Sequence, residues 1–266
     1  MCELFSMSAR YPTNVTFSLK ELARHGGETG DHSDGWGVAF YEGVDARILR
    51  EVTPAAECSL MEFLQNKGIR SNLVLSHIRK ATEGEVNLAN AHPFQRELGG
   101  HIHTFAHNGQ IDGIRKHPSQ SLGRFRPVGN TDSEFAFCSL LSRLEEAWLQ
   151  GIPSLQYRFD IVSQIASEWR PLGPANFLYS DGDVLFVHGH KRTQADGEKR
   201  PPGLHLLSRQ CHMCDDSPEL LGVQVDESRR QSVALVASVP LSNEAWYPLG
   251  EGELLVLRDG HVLERF

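Results

Sequence analysis

The chain has 266 residues, 26 of them Lys or Arg and 34 Asp or Glu, for a formal charge of −8. That acidic balance argues against binding a nucleic-acid backbone, which needs clustered cations to displace counterions, and no apolar run reaches the roughly 20 residues of a membrane-spanning helix. No charged segment followed by an apolar one marks a secretory signal, and five cysteines, an odd number, make no disulfide framework, so the expectation is a cytoplasmic globular protein. The segment Cys2–Ala9 alternates loosely and predicts a strand. Phe17, Leu19, Leu22 and Ala23 predict a helix ending at His25, stopped by Gly26-Gly27. Gly37–Tyr41 and Ile48–Val52 read as strands around the turn residues Glu42-Gly43-Val44-Asp45. Ser59–Asn66 reads as a short helix, and Leu73–His77 and Thr104–His107 as short strands, each ending in polar residues.

Thr131-Asp132-Ser133-Glu134 has the form of a capping box, and Phe137, Leu140, Leu141, Leu144 and Trp148 follow at helical spacing. Ile152-Pro153 opens a second helical stretch with Leu155, Phe159, Val162, Ile165, Ala166 and Trp169 on its apolar side. The C-terminal third reads as strands: Asn176–Tyr179, Val184–His188, Leu204–Leu207, Ser232–Val239, Leu254–Leu257 and Val262–Phe266. Asp181-Gly182-Asp183 and Asp259-Gly260 serve as hairpin turns, and the basic segment Lys191–Pro202 reads as a surface excursion. Strands, then two long helices, then strands suit antiparallel sheets with helices packed on them, an α+β arrangement, and not βαβ alternation.

Cys2 stands out by position. Initiator methionine is normally removed before a small second residue, which would leave this cysteine at the N-terminus. Such a residue carries nucleophile and base together: an α-amine titrating near ~7.7–8.0 can take the proton of a thiol with pKa about 8.5. On position alone, a buried and inert cysteine is the plainer account. Four further segments follow in order: His77-Ile78-Arg79-Lys80-Ala81-Thr82-Glu83-Gly84, Asn90-Ala91-His92-Pro93, His107-Asn108-Gly109 and Thr131-Asp132-Ser133-Glu134. Singly each is mundane; Arg79 suits a surface ion pair, Asn108-Gly109 a hairpin turn and Asp132 a helix N-terminus.

Together the motifs resemble the glutaminase domain of class II glutamine amidotransferases, a group of N-terminal-nucleophile hydrolases. The likeness covers residues 2 to about 150 by motif and most of the chain by length and strand pattern. Arg24–Gly37, ending Ser33-Asp34-Gly35-Trp36-Gly37, is similar to the corresponding region of the stand-alone members. The resemblance implies a four-layer αββα sandwich formed by one domain, residues 2–266, with Cys2 at the start of a central strand. It implies attack by Cys2 on a γ-glutamyl amide, with an oxyanion held by the Asn108 amide and the Gly109 N–H. A substrate carboxylate would be gripped by Arg79 and its ammonium by Asp132; Thr82 would complete a lid, and His107 joins this binding set. No metal or organic cofactor is implied.

Ile78, Lys80 and Glu83 depart from the residues usual in members fused to a synthase, and the long second domain of those members is missing from the 266 residues. Two roles are therefore open: feeding ammonia to a separate synthase subunit, or independent hydrolysis of γ-glutamyl compounds. A third is a catalytically silent γ-glutamyl-binding module. Among weaker signals, Cys211-His212-Met213-Cys214 with His205 upstream has half the spacing of a zinc site, and His101/His103 and His188/His190 would each share a strand face.

Overall fold

A computed structural model describes residues 2–211 and 231–266. Its strands and helices, in chain order, are β1 (Glu3–Asn14), α1 (Thr16–His25), β2 (Trp36–Glu42), β3 (Asp45–Glu51), α2 (Ser59–Lys67), β4 (Arg70–Ile78), β5 (Phe94–Leu98) and β6 (His101–Gly109). These are followed by α3 (Asp132–Trp148), α4 (Leu155–Trp169), β7 (Ala175–Ser180), β8 (Leu185–His188), β9 (Arg192–Thr193) and β10 (Lys199–Arg200). The last are β11 (His205–Cys211), β12 (Gln231–Ala237), β13 (Tyr247–Pro248), β14 (Leu254–Arg258) and β15 (His261–Arg265).

Two large sheets form, a seven-stranded one in the order β13-β11-β12-β1-β4-β2-β3 and a six-stranded one in the order β15-β14-β8-β7-β6-β5. β1 is the middle strand of the first. The two-residue periodicity of a strand explains the layers. Phe5, Met7 and Ala9 of β1 face α1 and α2, meeting Leu19, Leu22, Met61 and Leu64. Leu4, one residue out of step, faces the second sheet and packs with Ala106, Leu178 and Val187. On that sheet's far side Phe105, Phe177 and Phe186 meet Phe137, Leu141 and Trp169 of α3 and α4. The result is the expected four-layer αββα sandwich. With both faces covered, the central strands carry near-continuous apolar runs, and all six residues of β7 are buried. This is why the opening segment alternates only loosely.

Two sequence expectations change in detail. The Thr131 hydroxyl accepts the Glu134 N–H at 3.2 Å, as a capping box requires. The Glu134 carboxylate, however, does not return to the Thr131 N–H. It accepts the N–H groups of Val128 (3.0 Å) and Gly129 (2.6 Å) and pairs with Arg96 at 2.6 Å, tying the incoming loop to the sheet. The Lys191–Pro202 segment contains the small β9–β10 ribbon, and Arg192 turns inward to donate to the Ser238 carbonyl at 2.7 Å. The Asp259-Gly260 turn is as expected: both residues have positive φ (52° and 75°) between paired Arg258 and His261. His101 and His103 share a face of β6 and both pack on Trp148, whereas β8 ends at His188, so His190 lies beyond the strand and that pair shares no strand face. The Cys211–Cys214 segment falls, after Cys211, outside the described residues. Among the described residues no helix is long and apolar enough to cross a membrane.

The β7–β8 turn is locked onto α4 by a buried charge pair. Arg158, 3% exposed, donates to Asp181 and to Asp183, both at 2.8 Å, and Asp181 is wholly buried. Removing one partner of such a pair leaves a desolvated charge. Arg158→Leu is therefore expected to lower stability by about 3–5 kcal/mol, read by urea denaturation. Part of that loss should return in the double variant with Asp181→Asn.

Candidate active site

At one end of the sandwich, β1, β4, β6 and α3 deliver four of the motif residues to one place. Cys2 sits immediately before β1, and the ladder pairs Glu3 with Ile78 of β4. The thiol therefore lies beside the residues that follow β4. It donates to the Lys80 carbonyl at 3.3 Å and accepts the Lys80 N–H at 3.4 Å. Burial pushes the thiol pKa up, opposed by the Lys80 N–H and the Arg79 charge and aided by Asp132. The thiol thus stays protonated at neutral pH until a base removes its proton.

Arg79 is 3% exposed and is wrapped by the loop that follows it, donating to the carbonyls of Glu85 (3.0 Å), Glu83 (3.0 Å) and Gly84 (3.4 Å). A guanidinium has five N–H groups, so donors remain for a ligand. Gly84, at φ 76°, closes this loop against Asn90 and Asn130, which bond to each other. Thr82 lies on the same loop and is exposed. Asp132 opens α3, accepting the Ile111 N–H at 2.6 Å and the Ser133 N–H at 2.7 Å. It is 5% exposed and links the end of the β6 segment to the helix. Burial, reinforced by Asp132, raises the Glu83 carboxyl pKa.

Asn108 and Gly109 are not a hairpin turn; they are the last residues of β6, opposite Asn176 and Ala175 of β7. A turn would need the chain to reverse there, whereas Gln110 continues along β7, donating to Pro174 at 3.1 Å. Asn108 is wholly buried, and its amide N–H reaches Ser238 Oγ at 3.3 Å. A Cβ on Gly109 would overlap the Pro174 carbonyl, so only glycine fits. His107 is buried next to this pair. A carbonyl can only accept, so its Nε2–H donates to Pro174 (3.2 Å), and Nδ1 accepts from the Ser133 hydroxyl at 2.8 Å. With both ring nitrogens occupied by protein, His107 braces β6 against α3.

Several residues at this end escaped the sequence reading. Ser238 Oγ accepts the Leu4 N–H at 3.0 Å as well as the Asn108 amide, joining nucleophile strand to β6. Asp34 accepts the Ala81 N–H at 2.8 Å, and Asp31 pairs with Lys80, so the Gly26–Gly35 segment is laced to the loop beside Cys2. Glu3 is buried between His25 (2.7 Å), His32 and Arg192. Asp34 lies in a segment already singled out; nothing in the sequence marks Ser238. No cluster of three or more metal-ligating side chains occurs among the described residues.

A sandwich of two antiparallel sheets between helical layers, with a cysteine leading into its central strand, is the architecture of N-terminal-nucleophile amidotransferase domains. The chain belongs to the family "Glutamine amidotransferases class-II", whose sequence profile matches residues 1–266. It is 38% identical over 254 residues to "Putative glutamine amidotransferase YafJ" of Escherichia coli (strain K12), covering 95% of this chain and 96% of that protein. A crystal structure titled as a predicted glutamine amidotransferase from Pseudomonas aeruginosa PA01 is similar throughout. It has a TM-score of 0.71 and 33% identity, and the match covers 99% of this chain and 100% of that one. Glutamine phosphoribosylpyrophosphate amidotransferase from B. subtilis, at 16% identity and TM-score 0.61, shares the fold over 49% of its length and all of this chain. Family membership places glutamine-amide hydrolysis or transfer as the general chemistry.

Proposed function

We propose that the chain, as one domain over residues 2–266, hydrolyses a γ-glutamyl amide through a thioester on Cys2. One observation carries the reading: the Cys2 thiol bonds to the main chain of Lys80, next to Arg79, Ser238 Oγ joins the Leu4 N–H to the Asn108 amide, and Asp132 holds the Ile111 N–H just beyond Gly109, so distant parts of the chain meet at the same end of the sandwich. In the Met1-free chain the Cys2 α-amine takes the thiol proton as sulfur attacks the amide carbon. The carbonyl π electrons move to oxygen, where Asn108 Nδ2 and the Gly109 N–H receive the charge. Collapse breaks the C–N bond, and the α-ammonium returns the proton to the leaving amine or ammonia. Water, deprotonated by the same amine, then cleaves the thioester to glutamate and free thiol. Arg79 offers the substrate carboxylate a planar fork that Lys could not. Asp132, with Glu83 nearby, faces the substrate ammonium, and Thr82 on the exposed loop closes over the glutamyl group. His107 acts by holding the donor strand. None of these steps calls on a cofactor.

The test is to supply Met1-free protein with glutamine, a γ-glutamyl alkylamide and γ-glutamyl dipeptides, measuring glutamate and released amine or ammonia. Equimolar products are expected, and hydroxylamine should divert part of the flux to γ-glutamyl hydroxamate by intercepting the thioester. A chain that retains Met1 should do neither. Saturable binding without any turnover would make the protein a γ-glutamyl-binding module instead.

A further inference from the structure

We propose that Asn176 is a positioning residue that aims the oxyanion donors Asn108 and Gly109. The proposal rests on the reading that Cys2 attacks a γ-glutamyl carbonyl whose oxygen those two donors receive. Asn176 lies in β7 directly across the ladder from Asn108 and is wholly buried. Its side-chain N–H groups donate to the Asn108 carbonyl at 3.0 Å and the Lys191 carbonyl at 2.9 Å, and its Oδ1 accepts the His190 N–H at 2.7 Å. Every bond the side chain makes therefore goes to main chain. Two fasten residues 190 and 191; the third holds the donor strand itself.

Peptide geometry turns that third bond into an orientation. The Asn108 carbonyl and the Gly109 N–H belong to one planar trans unit and point in opposite directions. Holding the oxygen toward β7 holds the N–H away from it. The ladder agrees: Gln110 donates to Pro174 across β7, so by antiparallel alternation the neighbouring Gly109 faces the other way. On that side β5 does not extend, because its pairing with β6 begins at Phe94–Phe105. The N–H is thus presented at an open edge. A donor contributes most to a developing oxyanion when it is aimed before the charge appears, since reorientation at that moment would consume the gain.

Asparagine is disfavoured in strands, and an apolar residue would suit the otherwise covered strand β7 while leaving the Asn108 oxygen only the ladder N–H of residue 176. Space is also reserved for this side chain: a Cβ on Gly203 would overlap Asn176 Oδ1.

Two probes separate aiming from mere folding. Glutamate γ-semialdehyde, its affinity referred to the open-chain aldehyde in equilibrium with the cyclic imine, adds the thiol to give a tetrahedral hemithioacetal whose oxygen occupies the donors' position; glutamate binds the same pocket with no tetrahedral centre. Asn176→Asp keeps the shape and replaces the donating NH2 with oxygen. Gly203→Ala displaces Asn176 without altering it. In either variant the aldehyde should bind about 10–100-fold more weakly while glutamate affinity stays within about twofold, and kcat should fall by a similar factor with little change in KM. An unchanged aldehyde-to-glutamate affinity ratio in a folded variant would overturn the proposal. So would loss of folding in both variants, which would assign Asn176 to the fold alone. Wild-type protein that binds the aldehyde no more tightly than glutamate would remove the underlying reading of Cys2, a result obtained before any variant is made.

Discussion

Cys2→Ala is expected to lower kcat/KM for glutamine or a γ-glutamyl amide by at least about ten-thousand-fold, with a melting temperature close to that of the wild type. Removing a nucleophile deletes the covalent route entirely, and what survives is the background supplied by binding and oxyanion stabilisation. The fold should hardly notice. The Cys2 side chain is only half-buried, and both its hydrogen bonds go to the Lys80 backbone, at the long distances of 3.3 and 3.4 Å. The contrast with Asn108→Ala is informative. That change should cost about 100–1,000-fold in kcat, the usual effect of losing one oxyanion donor. It should also cost stability, because Asn108 is wholly buried and Ser238 Oγ would lose its amide partner. Steady-state kinetics beside differential scanning calorimetry separates the two. A Cys2→Ala protein that keeps more than about one per cent of wild-type activity would remove sulfur from the mechanism.

Much of the fold was legible locally, and the reasons are specific. α3 announced itself through Thr131 and its apolar spacing, and the β14–β15 hairpin through Asp259-Gly260, because cap and turn chemistry act over four residues or fewer. β5 was missed. It lies at the edge of its sheet with only Phe94 and Leu98 buried, and Gln-Arg-Glu between them hides the pattern. The four-layer arrangement came from resemblance, since local patterns do not say which sheet covers which. The site divides in the same way. Cys2, Arg79, Asn108 and Asp132 sit inside recognisable short motifs. Ser238 and Asn176 matter only because the fold carries them to Asn108, 130 and 68 residues away in sequence. The one visible hint was an asparagine inside an apolar run. Glu134 shows the limit of motif reading: a correct cap sequence whose carboxylate found Arg96 and the loop instead.

Acidification should destabilise the protein well before its carboxylates are protonated, because several imidazoles are buried in the neutral form. Burial lowers His103 to about 4 and His188 to about 3. It also pushes His77 and His92 well below the ordinary value and lowers His107. The hydrogen bonds agree with neutrality. His103 Nε2–H donates to the Leu98 carbonyl and Nδ1 accepts from the Tyr179 hydroxyl, so no acceptor awaits a second proton. His77 and His92, with ring centroids 4.2 Å apart, have no hydrogen-bond partner at any ring nitrogen among the described residues.

In the unfolded chain these side chains titrate near about 6.5. Between that value and the folded pKa only the unfolded state takes up protons, so stability is fully present above about pH 6.5 and falls as pH drops toward the folded values. At pH 5, His103 and His188 should each withdraw about 2 kcal/mol, and His77, His92 and His107 act in the same direction. The Glu3–His25 pair opposes this in part. Its bond to Glu3 raises His25, adding stability below about pH 6.5, while against its burial the His25 contact lowers Glu3, so that stability persists until the carboxylate protonates. That is one partly exposed histidine set against six buried ones that burial lowers, His190 included. Calorimetry should therefore show a melting temperature about 10 °C lower at pH 5 than at pH 7.5. A flat profile across that interval would mean that the buried rings find partners for a second proton, and that the interior around β4 and β6 is far more polar than its packing indicates.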